Sequence, residues 1–308
     1  MSLNFDKATI YQLTQATGAV LKRLTAALPE SQFHECPKKQ LRSVGFVPPL
    51  EGDSTELTYE TNGGVLFCLR TDEKALPSRY IKAQVGAVVA KHVAAGEELA
   101  TVDIRLVKEE LIEKLLPGIP PEPRHTFAYI DKTLGMMFVD ASDVAADAFM
   151  DALKDALNGM PFILLGIEDE PCDKFTAWLR DPKSLGDDLE LGDNCSLKHA
   201  KEGGTAIINI QHEELQSDEM DAMLDAGKQC CRIGLAHKDA TFAITAKLGI
   251  RRLTLSEDRK AAIGEEGSDI PAEFAVIVDT VRHILGALAP LLGGWPKQEL
   301  LDLEGDAA

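Results

Sequence analysis

Aromatic residues are scarce in this 308-residue chain, at 6%, although apolar residues reach 45%. No run approaches the roughly 20 uninterrupted apolar residues of a membrane span, so no membrane partner is expected. The opening MSLNFDKATIYQLTQ lacks a charged stretch leading into an apolar one, the pattern of a secretory signal. Paired cysteine spacings are missing too. Cys36, Cys68, Cys172, Cys195, Cys230 and Cys231 form no CxxC, which suits buried free thiols in a reducing cytoplasm better than a disulfide framework. There is no GxSxG, Walker loop or GxGxxG, the signatures of an acyl-transfer nucleophile, a phosphate cradle and a dinucleotide site. Basic residues are outnumbered, 32 Lys and Arg against 50 Asp and Glu, for a formal charge of -18. Taken whole, that charge disfavours nucleic acid, because binding a polyanion takes Lys and Arg clusters that displace counterions.

The charge is nevertheless segregated. From Lys228 to Lys260 there are eight basic residues and three acids, a net of +5 that leaves -23 for the remainder. Net charge is a poor guide to such a local surface.

Apolar periodicity supplies the rest of the outline. Ala8 to Leu13 reads as a strand, Val20, Leu21 and Leu24 mark a helix, and a short strand is expected near Phe33. LTYETNGGVLFCLR is a hairpin turning at Asn62-Gly63-Gly64. Ile81, Val85, Val88, Val89 and Val93 define one helix, between Pro77 and Gly96. Ile104, Val107, Leu111, Ile112 and Leu115 define another, ending at Pro117. HTFAYI and MMFVDA are strands joined by a turn at 132–135, followed by a helix from Val144 to Leu157 and the strand PFILL. A charged helix around Phe175 and Trp178 leads to an acidic loop region from Gly186 to Asp193. Gly203-Gly204-Thr205 suggests a turn into the strand GGTAIINI, with no phosphate cradle. Ser217 can cap a helix that Gly227 ends. Three strands, KQCCRIGLA, TFAITAKL and IRRLTL, precede a final helix from Pro271 to Leu288. Strands and helices mix without regular alternation, so the class is α+β. The expected parts are a central body (1–75 and 118–170), an inserted helical hairpin (76–117) and a C-terminal base (171–308).

Strict alternation in the three late strands gathers Lys228, Arg232, Lys247 and Arg252 on one polar face, with Arg251 on the other. Such a face is either a solvated exterior or a surface that tracks phosphates. It has no aromatic interleaving for stacking single-stranded bases, so its nucleic-acid partner would be duplex. Cys195 and His199, or His34 and Cys36, lack a partner pair at zinc spacing, and neither a metal nor a cofactor is expected. Glu168-Asp169-Glu170 and Asp187-Asp188 carry the oxygen ligands magnesium favours, but lie in polar, loop-like segments. Nothing in the pattern demands an enzyme.

Several segments, in order, resemble the RdgC family of recombination-associated proteins. They are VGFVPPL (Val44 to Leu50), LPSRYIKAQ (Leu76 to Gln84), Leu115-Leu116-Pro117 through YIDKTLGMMFVDAS, FTAWLR (Phe175 to Arg180), and AGKQCCRIGL with IRRLTL. The resemblance implies a horseshoe-shaped subunit with a helical tip, two of which meet at both ends and close a ring around duplex DNA. It implies binding with little sequence preference, opposition to a RecA-type recombinase, and a nucleoid-associated place in the cytoplasm. Lys228, Arg232, Arg251 and Arg252 fall where the family carries basic residues, with Lys247 adding charge on the same sheet. Ile119 and Arg124 stand where an aromatic and an arginine are expected at the homodimer contact. The chain departs from the family in AAGEELATVD, with Glu97, Glu98 and Asp103, in GIPPEPRH, and in INIQHEEL, each less basic or less aromatic than expected. Two other functions stay open: an acidic modulator or DNA mimic acting on the recombinase, and a magnesium-dependent nuclease.

Overall fold

The computed structural model describes residues 3, 5–52, 54–96, 100–199, 206–264 and 270–295. Glu97, Glu98 and the Gly203–Thr205 turn lie outside these. The class is α+β, with twelve strands and eight α-helices among the described residues. The chain divides into two units, one of Met1–Glu30, Pro48–Cys68 and Thr126–Ala308, the other of Ser31–Val47 and Leu69–His125.

The order begins with β1 (Lys7–Leu13), α1 (Thr17–Ala27), β2 (Arg42–Val47), β3 (Tyr59–Thr61) and β4 (Gly64–Lys74). It continues with α2 (Ser78–Ala94), α3 (Thr101–Leu115), β5 (Pro121–Asp131), β6 (Met136–Val139), α4 (Asp143–Leu157) and β7 (Phe162–Leu164). Then come α5 (Pro171–Arg180), β8 (Glu190–His199), β9 (Ile207–Gln211) and α6 (Asp218–Asp225). The chain closes with β10 (Lys228–His237), β11 (Ala240–Thr245), β12 (Ile250–Leu255), α7 (Glu257–Ile263) and α8 (Ile270–Leu291).

The smaller unit holds β2, α2, α3 and the adjoining halves of β4 and β5. Its helices bury little: Ile81 is the one buried residue of α2, and Leu116 follows α3 in a short 3₁₀ turn. Lys74 ends β4 buried, its ammonium donating to the carbonyls of Pro37 and Lys38 at 3.1 and 2.7 Å. The strand expected near Phe33 is a single bridge, Gln32 to Phe46, and the strand that does form there is β2.

In the larger unit the strands run β4-β5-β6-β1-β12-β11-β10-β8-β9, every pair with a recorded register being antiparallel. β1 is the seam. Thr9–Gln12 pair with β6 on one edge, while Lys7–Ala8 pair with β12 and Tyr11–Leu13 with β7 on the other. The β3–β4 hairpin turns at Asn62 and Gly63, both at positive φ (49° and 72°), the geometry that a two-residue turn matched to strand twist requires. Cross-strand partners share a face, so Tyr129, Phe138 and Ile10 stand together. Phe274 of α8 packs edge-on against Tyr129 at 5.4 Å, which puts α8 on that face. Tyr11 points the other way, toward Asp143 and Asp147 of α4. Helices therefore cover both faces of the sheet.

α8 has the length and composition of a membrane span, yet ten of its 22 residues are buried, Phe274, Val278, Ile284 and Leu288 completely. Each such side chain contributes about 1.5–3 kcal/mol of burial. The buried Asp131 carboxylate ties this helix to the β5–β6 turn, accepting from Arg282 Nε at 2.6 Å and from the amides of Thr133 and Leu134. Two elements depart from expectation. β8 starts inside the segment read as acidic loop, and α7 was not foreseen, although Ser256 caps it by accepting from the amide of Arg259. All six cysteines are free, and four are buried.

Candidate nucleic-acid interface

The expected basic face rests on uninterrupted alternation in β10 to β12, and two bulges break it. The first lies between Cys230 and Arg232, where Cys230 pairs with Leu197 and Arg232 with Ser196, so two steps on β10 face one on β8. Cys230, not Cys231, is consequently the buried residue, on the face of Cys195 and Ile233. Lys228, two before Cys230, stands on that face as well, opposite to Arg232. The second bulge sets Thr241 against Thr254 and Ala243 against Arg251, with Arg252 as the extra residue at φ 54°. An added residue flips the parity of everything beyond it.

The corrected face is that of α4. Arg232 pairs with Thr245 and Ser196, Arg251 pairs with Ala243 and Lys7, and Ser196 pairs with Asn209. Lys198, two residues beyond Ser196 on β8, joins them and lies half-buried. Sequence reasoning missed it because β8 was not recognised, yet Cys195-Ser196-Leu197-Lys198 alternates apolar and polar with period two. Arg251, expected on the apolar side, belongs to this face, and Lys228 does not.

The cations differ in what already holds them. Arg251 is 17% exposed, and its guanidinium donates to Asp143 Oδ1 at 2.5 Å, Ala8 O at 3.0 Å and Ile250 O at 2.7 Å. Lys247, in the turn after β11, reaches Asp143 Oδ2 at 3.3 Å. One carboxylate thus serves two cations. Arg252 is exposed on its bulge, and neither it nor Lys228 has an ion pair with a described residue. Arg232 makes a long 3.5 Å contact with Asn209 Oδ1, and its Nε is buried without a partner among the described residues. A buried donor left unpaired costs about 1–3 kcal/mol, so a group that supplies an acceptor there gains that much.

The remaining candidates are scattered. Ile119 is half-buried and Arg124 exposed, and Pro121 to Arg124 begin β5. Cys195 and His199 are four apart on one strand, roughly 13 Å, too far for one ion. Asp169 pairs with Lys174 at 2.9 Å, and Asp187 and Asp188 are exposed. Among the described residues no three His, Cys, Asp or Glu side chains gather to hold a metal.

Fold and patch together define an α+β protein on a large antiparallel sheet whose α4 face collects arginine and lysine. The family model described as "Putative exonuclease, RdgC" matches residues 3–295. Similar curated proteins, each named recombination-associated protein RdgC, include one from Psychromonas ingrahamii, 26% identical over 94% of this chain and 98% of the relative. One from Pseudomonas aeruginosa is 28% identical over 94% of this chain and 97% of its own length. The chain belongs to the RdgC family.

Proposed function

We propose that this protein binds duplex DNA without reading its sequence and restrains recombination driven by a RecA-type recombinase. It acts as a two-fold homodimer whose horseshoe-shaped subunits close into a ring, with Ile119 and Arg124 near one contact. It works in the nucleoid, needs no cofactor and is not an enzyme. The observation that carries the reading is the gathering of Arg232, Lys198 and Arg251 on one sheet face flanked by Lys247 and Arg252. A phosphate would meet the outer guanidinium nitrogens of Arg232 and the exposed Arg252 and Lys247, and phosphate contacts position a protein without conveying sequence.

Salt-titrated duplex binding by fluorescence anisotropy tests this. Each phosphate contact adds about 0.9 to the slope of log affinity against log salt. Replacing Arg232→Gln and Arg252→Gly removes four cations per dimer and flattens the slope by up to about 3.6. Glycine suits the positive φ at 252, so the fold is kept. Unrelated duplexes of equal length bind alike, and plasmid incubated with magnesium stays intact. An unchanged slope in a folded double variant removes this face from the DNA site. A wild-type protein that leaves duplex unshifted turns the reading toward an acidic modulator of the recombinase.

A further inference from the structure

The strand β7 lies at a break in the sheet of the larger unit and pairs with β1 alone. Thr14 donates to Pro161 O and Leu165 donates to Ile10 O, so the alternate backbone groups, those of Phe162 and Leu164, point away from β1; Phe162 is buried and Leu164 is the exposed one of the two. Natural sheet edges are blunted by short strands, proline and charged side chains. β7 is three residues long and follows Pro161, but the segment Met160–Gly166 (MPFILLG) carries no charge. Instead it exposes apolar surface, with Met160 39% and Ile163 and Leu164 each 43% accessible.

Beside that edge runs a groove of about 280 Å³ between β7 and α4, lined by Met150, Met160, Phe162 and Leu164, with Asp147 and Asp151 on the helix side. α4 carries Asp143, Asp147, Asp151 and Asp155 at four-residue intervals, one row of carboxylates. Like charges at that spacing destabilise a helix by about 0.2–0.5 kcal/mol a pair. Asp143 is neutralised by Arg251 and Lys247, whereas the other three have no ion pair with a described residue. The row is costly to the helix alone and is relieved by cations from outside.

We propose that the β7 edge and its groove dock an extended segment of another protein in which apolar residues alternate with Lys or Arg. The segment pairs with the amide and carbonyl of the exposed Leu164. Its apolar side chains enter the groove, and its cations meet Asp147, Asp151 and Asp155. A second copy of this chain fits poorly, because two-fold pairing at β7 offers MPFILLG to itself and brings two rows of carboxylates together. This groove borders the proposed DNA face, since Asp143 at the head of the same row holds Arg251 and Lys247.

The test uses the full chain and a fluorescein-labelled Lys-Val-Lys-Val-Lys-Val-Lys peptide, with a Glu-for-Lys peptide as control. The Lys peptide binds, and the Glu peptide binds at least about tenfold more weakly. The variant Asp147→Asn/Asp151→Asn/Asp155→Asn loses about tenfold, as does Leu164→Lys. Neutralising Asp187, Asp188 and Glu190, exposed acids elsewhere, leaves binding within about twofold. The asparagine variant relieves like-charge repulsion and stays folded, so it decides the matter even if Leu164→Lys does not fold. Absence of binding overturns the proposal. Equal losses in the local and remote charge variants overturn it too, leaving only general attraction to an acidic protein. Self-association of the wild type that Leu164→Lys abolishes assigns the edge to a second copy. Duplex binding is read through Arg232→Gln/Arg252→Gly, neither of which lines the groove, so failure here is distinguishable from failure of the DNA reading.

Discussion

At the end of β6 the Asp140 carboxyl is largely buried, one oxygen without a partner among the described residues, and Asp6 stands close by. Burial first and the Asp6 charge second push its pKa up to about 7. The unfolded carboxyl ionises near 3.9, so between about pH 4 and 7 the folded state holds the extra proton. Stability from this residue is therefore greatest below about pH 4 and falls as pH rises to 7, by up to about 4 kcal/mol. Asp140→Asn is expected to gain on the wild type as pH rises, with urea midpoints together at pH 4 and well apart at pH 8. Parallel profiles across that range sink the assignment. Asp239 is the opposite case. Arg259 donates to it at 2.9 Å, with burial opposing and His283 adding a 2.6 Å contact, and its pKa is held down to about 2.

Among the elements, the β3–β4 hairpin offers a sharp test of packing. A Cβ on Gly64 would lie 2.8 Å from Val278 Cγ2 and 3.0 Å from Phe274 Cζ, so Gly64→Ala drives α8 off the sheet and costs about 1–3 kcal/mol. Gly18→Ala in α1, where a Cβ meets nothing within 4 Å, gains up to about 1 kcal/mol. Urea denaturation of both variants is expected to show opposite signs. That hairpin was legible because Asn-Gly has a local backbone preference, and so was α6, whose Ser217 accepts from the amide of Met220 at 3.3 Å. Strands β10, β11 and β12 of the candidate site were legible too, but the membership of its face was not. A bulge is set by pairing with a neighbour, and the one in β12 places an arginine, not glycine or asparagine, at positive φ. Nothing in IRRLTL announces it. β8 escaped notice because its first half, Glu190 to Asn194, is polar and partly exposed, while its buried residues come only at Cys195 to Leu197.

For the molecule as a whole, the proposed ring requires two subunits related by a two-fold axis, which leaves no interface free. Light scattering at micromolar concentration is expected to give twice the mass of 33.4 kDa, and a monomer counts against the ring. Replacing residues 76–117 by a short Gly-Ser linker is expected to leave a folded remainder, because α2 and α3 satisfy their own backbone bonds and bury few side chains. A molten product would make these helices part of a core. The charge of -18 predicts nothing here by itself, since the cations of the proposed site, Lys198, Arg232 and Arg251, share one sheet face.

The seam at β1 has a temporal consequence. Its partners lie far along the chain: Ile10 pairs with Phe138, Leu13 with Phe162 and Lys7 with Arg251. At a synthesis rate of about 5–20 residues per second, β1 leaves the ribosome tens of seconds before β12 exists. Pairings so distant in sequence form late. The nascent chain meanwhile carries an unpaired strand edge, the kind of surface on which chains misassociate. The first strand to be made is among the last to be secured, and the interval between is when the chain is most open to misassociation.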